Sequence, residues 1–231
     1  MSYEGYTVSL ALVDYIPVTL SALGLWLLVK RIKHLKPELA ALATIACVVT
    51  VSAGILKATW KLIVASSGRD IHWMSDQLFV FLFPGLTLMA FAVILSKRNA
   101  PISRFAKAIL PIIIIAIVWA GSFYLNQSKP DSRAWSLMLL GCLAISNVIL
   151  SVALIRQALT EKLVLAACLV ALNLIFIFVL SGLGRIEDQT AALQWIEELV
   201  NIISQGSLFL GAWLLLQSSL KNESPLPDNN S

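Results

Sequence analysis

Charged residues are scarce in this sequence. Only 13% of its 231 residues are Asp, Glu, Lys or Arg, which is about half the share found in a soluble domain. In contrast, 58% are apolar and the mean hydropathy is +0.84. This composition excludes a soluble enzyme, a nucleic-acid-binding domain and a disordered protein. The pI of 9.1 does not indicate nucleic acid, because the basic residues lie in short loops between apolar segments.

Histidine and cysteine are scarce as well. The two histidines are His34, after the first apolar segment, and His72, before the third. This spacing places them on opposite sides of a membrane, so they cannot jointly bind a haem, a zinc ion or a di-iron centre. Cys47, Cys142 and Cys168 lie inside apolar segments, where a disulfide framework is not expected. We therefore expect no metal site and no cofactor.

Seven apolar segments of 21 to 27 residues make up most of the chain. One transmembrane helix needs about 20 apolar residues, and these runs are continuous, whereas the strands of a membrane barrel alternate. We predict an all-α polytopic membrane protein, with one seven-helix transmembrane domain over residues 1–221 and a disordered cytoplasmic tail over 222–231. The segments are Val8–Val29, Leu39–Ala65, Ile71–Leu95, Ile102–Leu125, Ala134–Ile155, Leu163–Leu183 and Ala191–Leu216.

The loops on the two sides of the membrane differ in charge. One side carries eleven basic and four acidic residues, and the other carries six basic and nine acidic residues. Because cytoplasmic loops are enriched in Lys and Arg, we expect the N-terminus outside and the C-terminus in the cytoplasm. We also expect a multi-pass protein of the plasma (inner) membrane.

The seven segments divide as three, one and three. The halves 8–97 and 134–221 share the order of their loop motifs, and 102–125 links them. The third helix of each half opens with a Trp followed three residues later by an acid, Trp73 with Asp76 and Trp195 with Glu198. Three helices per half and one linker give both halves the same orientation. The pattern predicts a parallel repeat, which is a common construction in transporters.

Ionisable side chains within the segments collect near the predicted outer boundary, about 24 to 31 Å from the inner basic loops at 1.5 Å per residue. They form a predicted outer vestibule; interfacial ion pairing is the alternative interpretation. Asp14 lies deepest, so we expect it to have a partner, to be protonated or to face water, and the candidate partners are Lys57 and Lys61 on the neighbouring helix. The vestibule residues are Asp14, Lys57, Lys61, Asp76, Glu197 and Glu198.

Amide side chains lie closer to the middle of the membrane. Asn147, Asn173, Asn201 and Gln205 are candidates for binding a polar solute. Asn201 and Gln205 are four residues apart and therefore share one helix face. The alternative for each amide is an interhelical hydrogen bond, which contributes about 0.6 kcal/mol on average in a membrane.

The polar residues favour a small-solute transporter or permease without enzymatic activity, in which a small polar or cationic solute binds near the midplane. One alternative is a non-transporting sensor or accessory subunit, which would dock a membrane partner or a second copy through the seventh predicted helix, Ala191–Leu216. Another is an opsin-shaped protein without retinal, because Ala191–Leu220 contains no Lys for a Schiff base. Asp76 and Glu198 could serve as acid and base, but no nucleophile or metal accompanies them. The docking surface would consist of Ser204, Gly206, Ser207, Gly211 and Ala212.

Overall fold

The structure is a computed structural model that describes residues 7–97, 103, 109–128, 132–184, 186 and 190–221. These residues form helices and no strand, and a short 3-10 turn, Pro37–Leu39, precedes the third helix. The predicted tail, 222–231, lies outside the described residues. The helices are α1 Val8–Val13, α2 Tyr15–Leu35, α3 Ala40–Ser67, α4 His72–Ser96, α5 Leu110–Ser128, α6 Ala134–Thr160, α7 Val164–Leu183 and α8 Ala191–Lys221.

The described residues contain seven spans, because α1 and α2 together form the first one. Each is long and apolar enough to cross a membrane, which confirms the predicted all-α, seven-helix fold. The chain is a multi-pass membrane protein. In the fourth span, the described helix ends at Ser128, three residues beyond the predicted end.

The helical hydrogen bonding of the first span is interrupted at Asp14, between α1 and α2, although the Asp14 backbone keeps helical dihedral angles. Pro17 follows three residues later and is buried. Proline has no backbone N–H to donate to the carbonyl four residues earlier, and its ring crowds that carbonyl. The carbonyl concerned belongs to Val13, the last residue of α1. The sequence therefore places an acidic side chain at a helix discontinuity.

Six of the spans form a closed ring. The first span packs against α3 and α8, α4 packs against α3 and α6, and α7 lies between α6 and α8. Helix α5 lies outside this ring, against α6 and α4. The order of neighbours is the same in α2–α3–α4 and in α6–α7–α8, which is compatible with the parallel repeat. The repeat itself stays a prediction.

Small residues bring the helices of the ring close together. A Cβ atom on Gly85 of α4 would lie 2.9 Å from the backbone nitrogen of Thr50 in α3. A Cβ atom on Gly211 of α8 would lie 3.5 Å from the carbonyl oxygen of Ala166 in α7. Gly211 is one of the small residues expected to contact a partner, and it packs instead against α7 of the same chain. Three others, Ser204, Ser207 and Ala212, are also buried within this chain.

The bundle has two ends, which we name by a feature of each. The α1 face carries the start of α1, the turn between α3 and α4, and the start of α8. The Arg31 face carries the ends of α2, α4, α6 and α8. His72 lies at the α1 face and His34 at the Arg31 face, so the two histidines lie at opposite ends, as the sequence indicates.

Candidate functional site

A cavity of about 350 Å³ extends from the α1 face towards the middle of the bundle. This charged cavity lies mainly between the first span, α3, α4 and α8, and α7 contributes one residue to its wall. Its lining combines ionisable groups with hydroxyl, amide and aliphatic side chains. The lining residues are Asp14, Pro17, Val18, Ser21, Thr50, Val51, Gly54, Lys57, Ala58, Lys61, Leu78, Leu82, Leu180, Glu197, Glu198, Asn201 and Gln205.

Lys61 joins three helices at the wide end of the charged cavity. Its Nζ atom lies 2.7 Å from Asp14 Oδ2 and 2.8 Å from Glu198 Oε1. Asp14 is only 7% exposed and Glu198 only 4%. The prediction that Asp14 has a lysine partner is confirmed, and the partner is Lys61. The sequence did not show that Glu198 of α8 completes the group, which we call the Lys61 triad.

Lys57 lies one helical turn from Lys61 but has different neighbours. Its Nζ atom donates to Ser75 Oγ at 2.9 Å and lies 4.0 Å from the centroid of the Trp60 ring. A cation over an indole face is attracted by the ring quadrupole. Trp60 Nε1 in turn donates to Asp70 Oδ1 at 2.9 Å. These contacts hold the Lys57 ammonium at the wall between α3 and α4.

The deeper part of the charged cavity is polar but uncharged. Ser21, Thr50, Asn201 and Gln205 line it, and Gln205 Nε2 lies 3.5 Å from Asn201 Oδ1. The two amides share one face of α8, as their spacing predicts. From Lys61 to Thr50 the cavity follows α3 for eleven residues, which corresponds to roughly 16 Å. The cavity thus reaches the middle of the helices.

The bundle is packed between the charged cavity and the Arg31 face. Leu25 and Leu28 of α2, Ala46 of α3, Met89 of α4 and Leu215 of α8 belong to one buried cluster there. Such close-packed interiors leave few voids larger than a water molecule. Within the described part of the chain, this packed cluster separates the charged cavity from the Arg31 face.

Seven of the ten predicted site residues line the charged cavity, and three do not. Asp76 is exposed on α4, and Asn147 is buried on α6. Asn173 of α7 is buried, and its Nδ2 donates to the carbonyl oxygen of Ser204 at 2.9 Å and to its hydroxyl at 3.0 Å. This contact is the interhelical hydrogen bond weighed as the alternative for each amide. Ligand binding by Asn147 or Asn173 stays a prediction.

A second polar group, at the Arg31 face, was missed by the sequence analysis. Arg31 of α2 is only 2% exposed. Its guanidinium donates to Glu161 Oε1 at 2.6 Å, to Gln157 Oε1, and to Ser219 Oγ at 3.1 Å. The available signal was the four-residue spacing of Gln157 and Glu161, which puts both on the same side of the C-terminal end of α6. We call this group the Arg31 cluster.

Further contacts tie the Arg31 cluster to α4. Lys97 Nζ lies 2.7 Å from Glu161 Oε1, and Gln157 Nε2 donates to the carbonyl oxygen of Val93 at 2.8 Å. Burial alone would raise the pKa of Glu161, but the hydrogen bond from Lys97 and the charges of Arg31 and Lys97 lower it overall. The carboxylate thus stays ionised and holds α2, α4, α6 and α8 together.

The cavity and the cluster place charged side chains at both ends of one helix ring. Comparison with protein-family models, with curated proteins and with solved structures gives no match to this chain.

Proposed function

We propose that the protein is a small-solute transporter or permease, and not an enzyme. The observation that carries this proposal is the one-sided charged cavity, which reaches the middle of the helices and ends at a packed core. A transporter that alternates its access presents such a site to one side at a time, near the bilayer midplane. The exposed position of Asp76 also supports transport rather than acid–base catalysis, because Glu198 lines the cavity and Asp76 does not.

The chemistry of the cavity favours a small polar solute that is cationic or zwitterionic. Carboxylates at its wide end can bind an ammonium group, and the amides of Asn201 and Gln205 can each donate and accept hydrogen bonds. A volume of about 350 Å³ is at the small end of the range for ligand pockets. Large solutes such as oligosaccharides are therefore poor candidates.

We propose that the α1 face is outside the cell and the Arg31 face is cytoplasmic, in the plasma (inner) membrane. The charge difference between the loops supports this orientation. The present conformation would then be open to the outside, and the Arg31 cluster would close the cytoplasmic side. The matching order of helices in the two halves supports a rocking motion of one half against the other.

The first test is cysteine accessibility. In a protein without its three native cysteines, Gln205→Cys would be treated with a membrane-impermeant thiol reagent from each side of sealed vesicles. We expect labelling from the α1 face in the resting protein, and labelling from the Arg31 face when Glu161→Gln weakens the closed end. Asn147→Cys, buried outside the cavity, is the matched control and should not be labelled from either side.

The second test is solute flux into proteoliposomes, followed by the rate of osmotic swelling with a panel of small amines, amino acids and polyols. We expect one solute class to enter faster with the native protein than with Asn201→Leu. If a solute binds but is never moved, and Gln205→Cys is never labelled from the Arg31 face, the chain is a sensor and the transport proposal fails.

A further inference from the structure

One oxygen atom of the Lys61 triad has no hydrogen-bond donor among the described residues. Glu198 Oε1 accepts from Lys61, whereas Glu198 Oε2 is fully buried and has no partner there. Asp14 Oδ2 and Glu198 Oε1 lie 2.7 Å and 2.8 Å from the same Lys61 Nζ atom, so the two carboxyl groups are direct neighbours. Two ionised carboxylates cannot form a hydrogen bond with each other, since both are acceptors only. A proton between them would provide the missing donor.

The charge balance of the triad points in the same direction. With all three groups ionised, two carboxylates share one ammonium and the triad carries a net charge of −1, and an excess charge in a buried group is costly. Lys57 lies against Ser75 and Trp60, and Asp70 and His72 pair with each other in the turn between α3 and α4. Of the residues that the structure describes, the other ionisable groups of α8 and α4 at this end are Glu197, half-buried on α8, and Asp76, exposed on α4. The residue of α7 that lines the cavity, Leu180, carries no charge.

We propose that the Lys61 triad binds one exchangeable proton, which Asp14 and Glu198 share, and that this proton is the coupling ion of the transporter. The proton-binding site is inferred from the contacts described above, whereas its role in coupling rests on the proposed function. The proton comes from water at the α1 face and forms an O–H bond on one carboxyl group, which then donates to the other carboxylate. Lys61 keeps its own protons and faces a carboxyl pair that carries one negative charge in total, so the protonated triad is neutral overall.

The same geometry relates the proton to a cationic solute. An ammonium group of the solute would need the carboxylate oxygens that the shared proton occupies. Proton and solute would therefore exclude each other, and binding of the solute would release the proton to water. This competition is the requirement for exchange of a solute against a proton.

Infrared difference spectroscopy of the full chain in nanodiscs tests the proton site without any solute. At about pH 7, where exposed carboxyl groups are ionised, we expect the native protein to show the carbonyl stretch of one protonated carboxyl group. The band should disappear in Asp14→Asn and in Glu198→Gln, because a single remaining carboxylate pairs with Lys61 one to one. Glu38→Gln, which alters an exposed carboxylate at the Arg31 face, should keep the band.

Lys61→Gln should strengthen proton binding, whereas the two carboxamide variants should abolish it. A variant with a stronger band cannot be explained by misfolding of the protein. Without the ammonium, the two carboxylates should hold the proton more firmly, so the band should persist to higher pH than in the native protein. Absence of the band in the native protein, or a band unchanged in both carboxamide variants, overturns the proton site. Solute flux that is insensitive to a proton gradient, with the band present, overturns the coupling role alone. Flux without the band overturns the inference and leaves the proposed function intact.

Discussion

Glu161→Gln is the sharpest perturbation of the Arg31 cluster. The substitution keeps the shape of the side chain but removes the negative charge that faces two cations. Arg31 is only 2% exposed and cannot turn to water, whereas Lys97, with its side chain 40% exposed, can. Breaking a buried ion pair from one side costs about 3 to 5 kcal/mol. The amide of glutamine still accepts a hydrogen bond, so we expect a loss near the lower limit, about 3 kcal/mol.

Thermal stability in detergent, read as the fraction that remains monodisperse after heating, measures this loss. For a chain of this length, 1 kcal/mol corresponds to roughly 2 to 4 °C in Tm, so Glu161→Gln should lower the Tm by about 6 to 12 °C. Glu38→Gln, an exposed carboxylate on the same face, should change the free energy of unfolding by no more than about 0.5 kcal/mol. The double variant Arg31→Met/Glu161→Met should recover most of the stability that Glu161→Gln loses, because it removes both charges of the buried pair.

The pH dependence provides an independent check. The pKa of Glu161 is lowered in the folded protein, so its stabilising contribution is present above the unfolded pKa of about 4.3 and is lost as the pH falls through the folded value. The difference between native and Glu161→Gln proteins should stay constant near neutral pH and shrink below about pH 4. Equal melting temperatures for Glu161→Gln and Glu38→Gln would refute the reasoning.

Three further predictions concern packing and orientation. Gly85→Ala should destabilise the protein by about 1 to 3 kcal/mol, because its Cβ would overlap Thr50 Oγ1; Gly141→Ala, with nothing within 4 Å, is the control and should not lower the Tm. Asn173→Ala should cost about 0.6 to 1.7 kcal/mol through its lost bonds to α8 in the same assay, and an unchanged Tm would contradict an interhelical role. A cysteine at Lys221 should react with an impermeant reagent only after the cell membrane is opened, and labelling in intact cells would overturn the proposed orientation.

Hydropathy predicted the seven spans because the cost of burying polar backbone in lipid forces each apolar run into a helix. The pairing of Asp14 with Lys61 was also predictable, since their helices are consecutive and the two groups lie at similar depth. Glu198 joins them only because α8 closes the ring beside α2, and hydropathy does not determine which distant helices become neighbours.

The Arg31 cluster escaped prediction for a related reason. A basic residue at the end of an apolar run is normally a loop charge that marks the cytoplasmic side. The burial of Arg31 depends on contacts with α6 and α8, which lie more than a hundred residues along the chain. The role of Asn173 escaped prediction in the same way. Its hydrogen bonds depend on the packing of α8 against α7, which the sequence alone does not give.

The interruption of the first span at Asp14 lies beside the charged cavity and beside two contacts between this span and α3. Helix α1 is not continuous with α2, and two side-chain contacts beside the interruption reach α3: Asp14 with Lys61, and the hydroxyl of Tyr15 with that of Thr59 at 2.9 Å. Loss of the ion pair between Asp14 and Lys61 removes one of these two contacts. One carboxylate therefore both pairs with a cationic group of the cavity wall and fixes the first span to α3, so its charge and the position of this end of the span are linked.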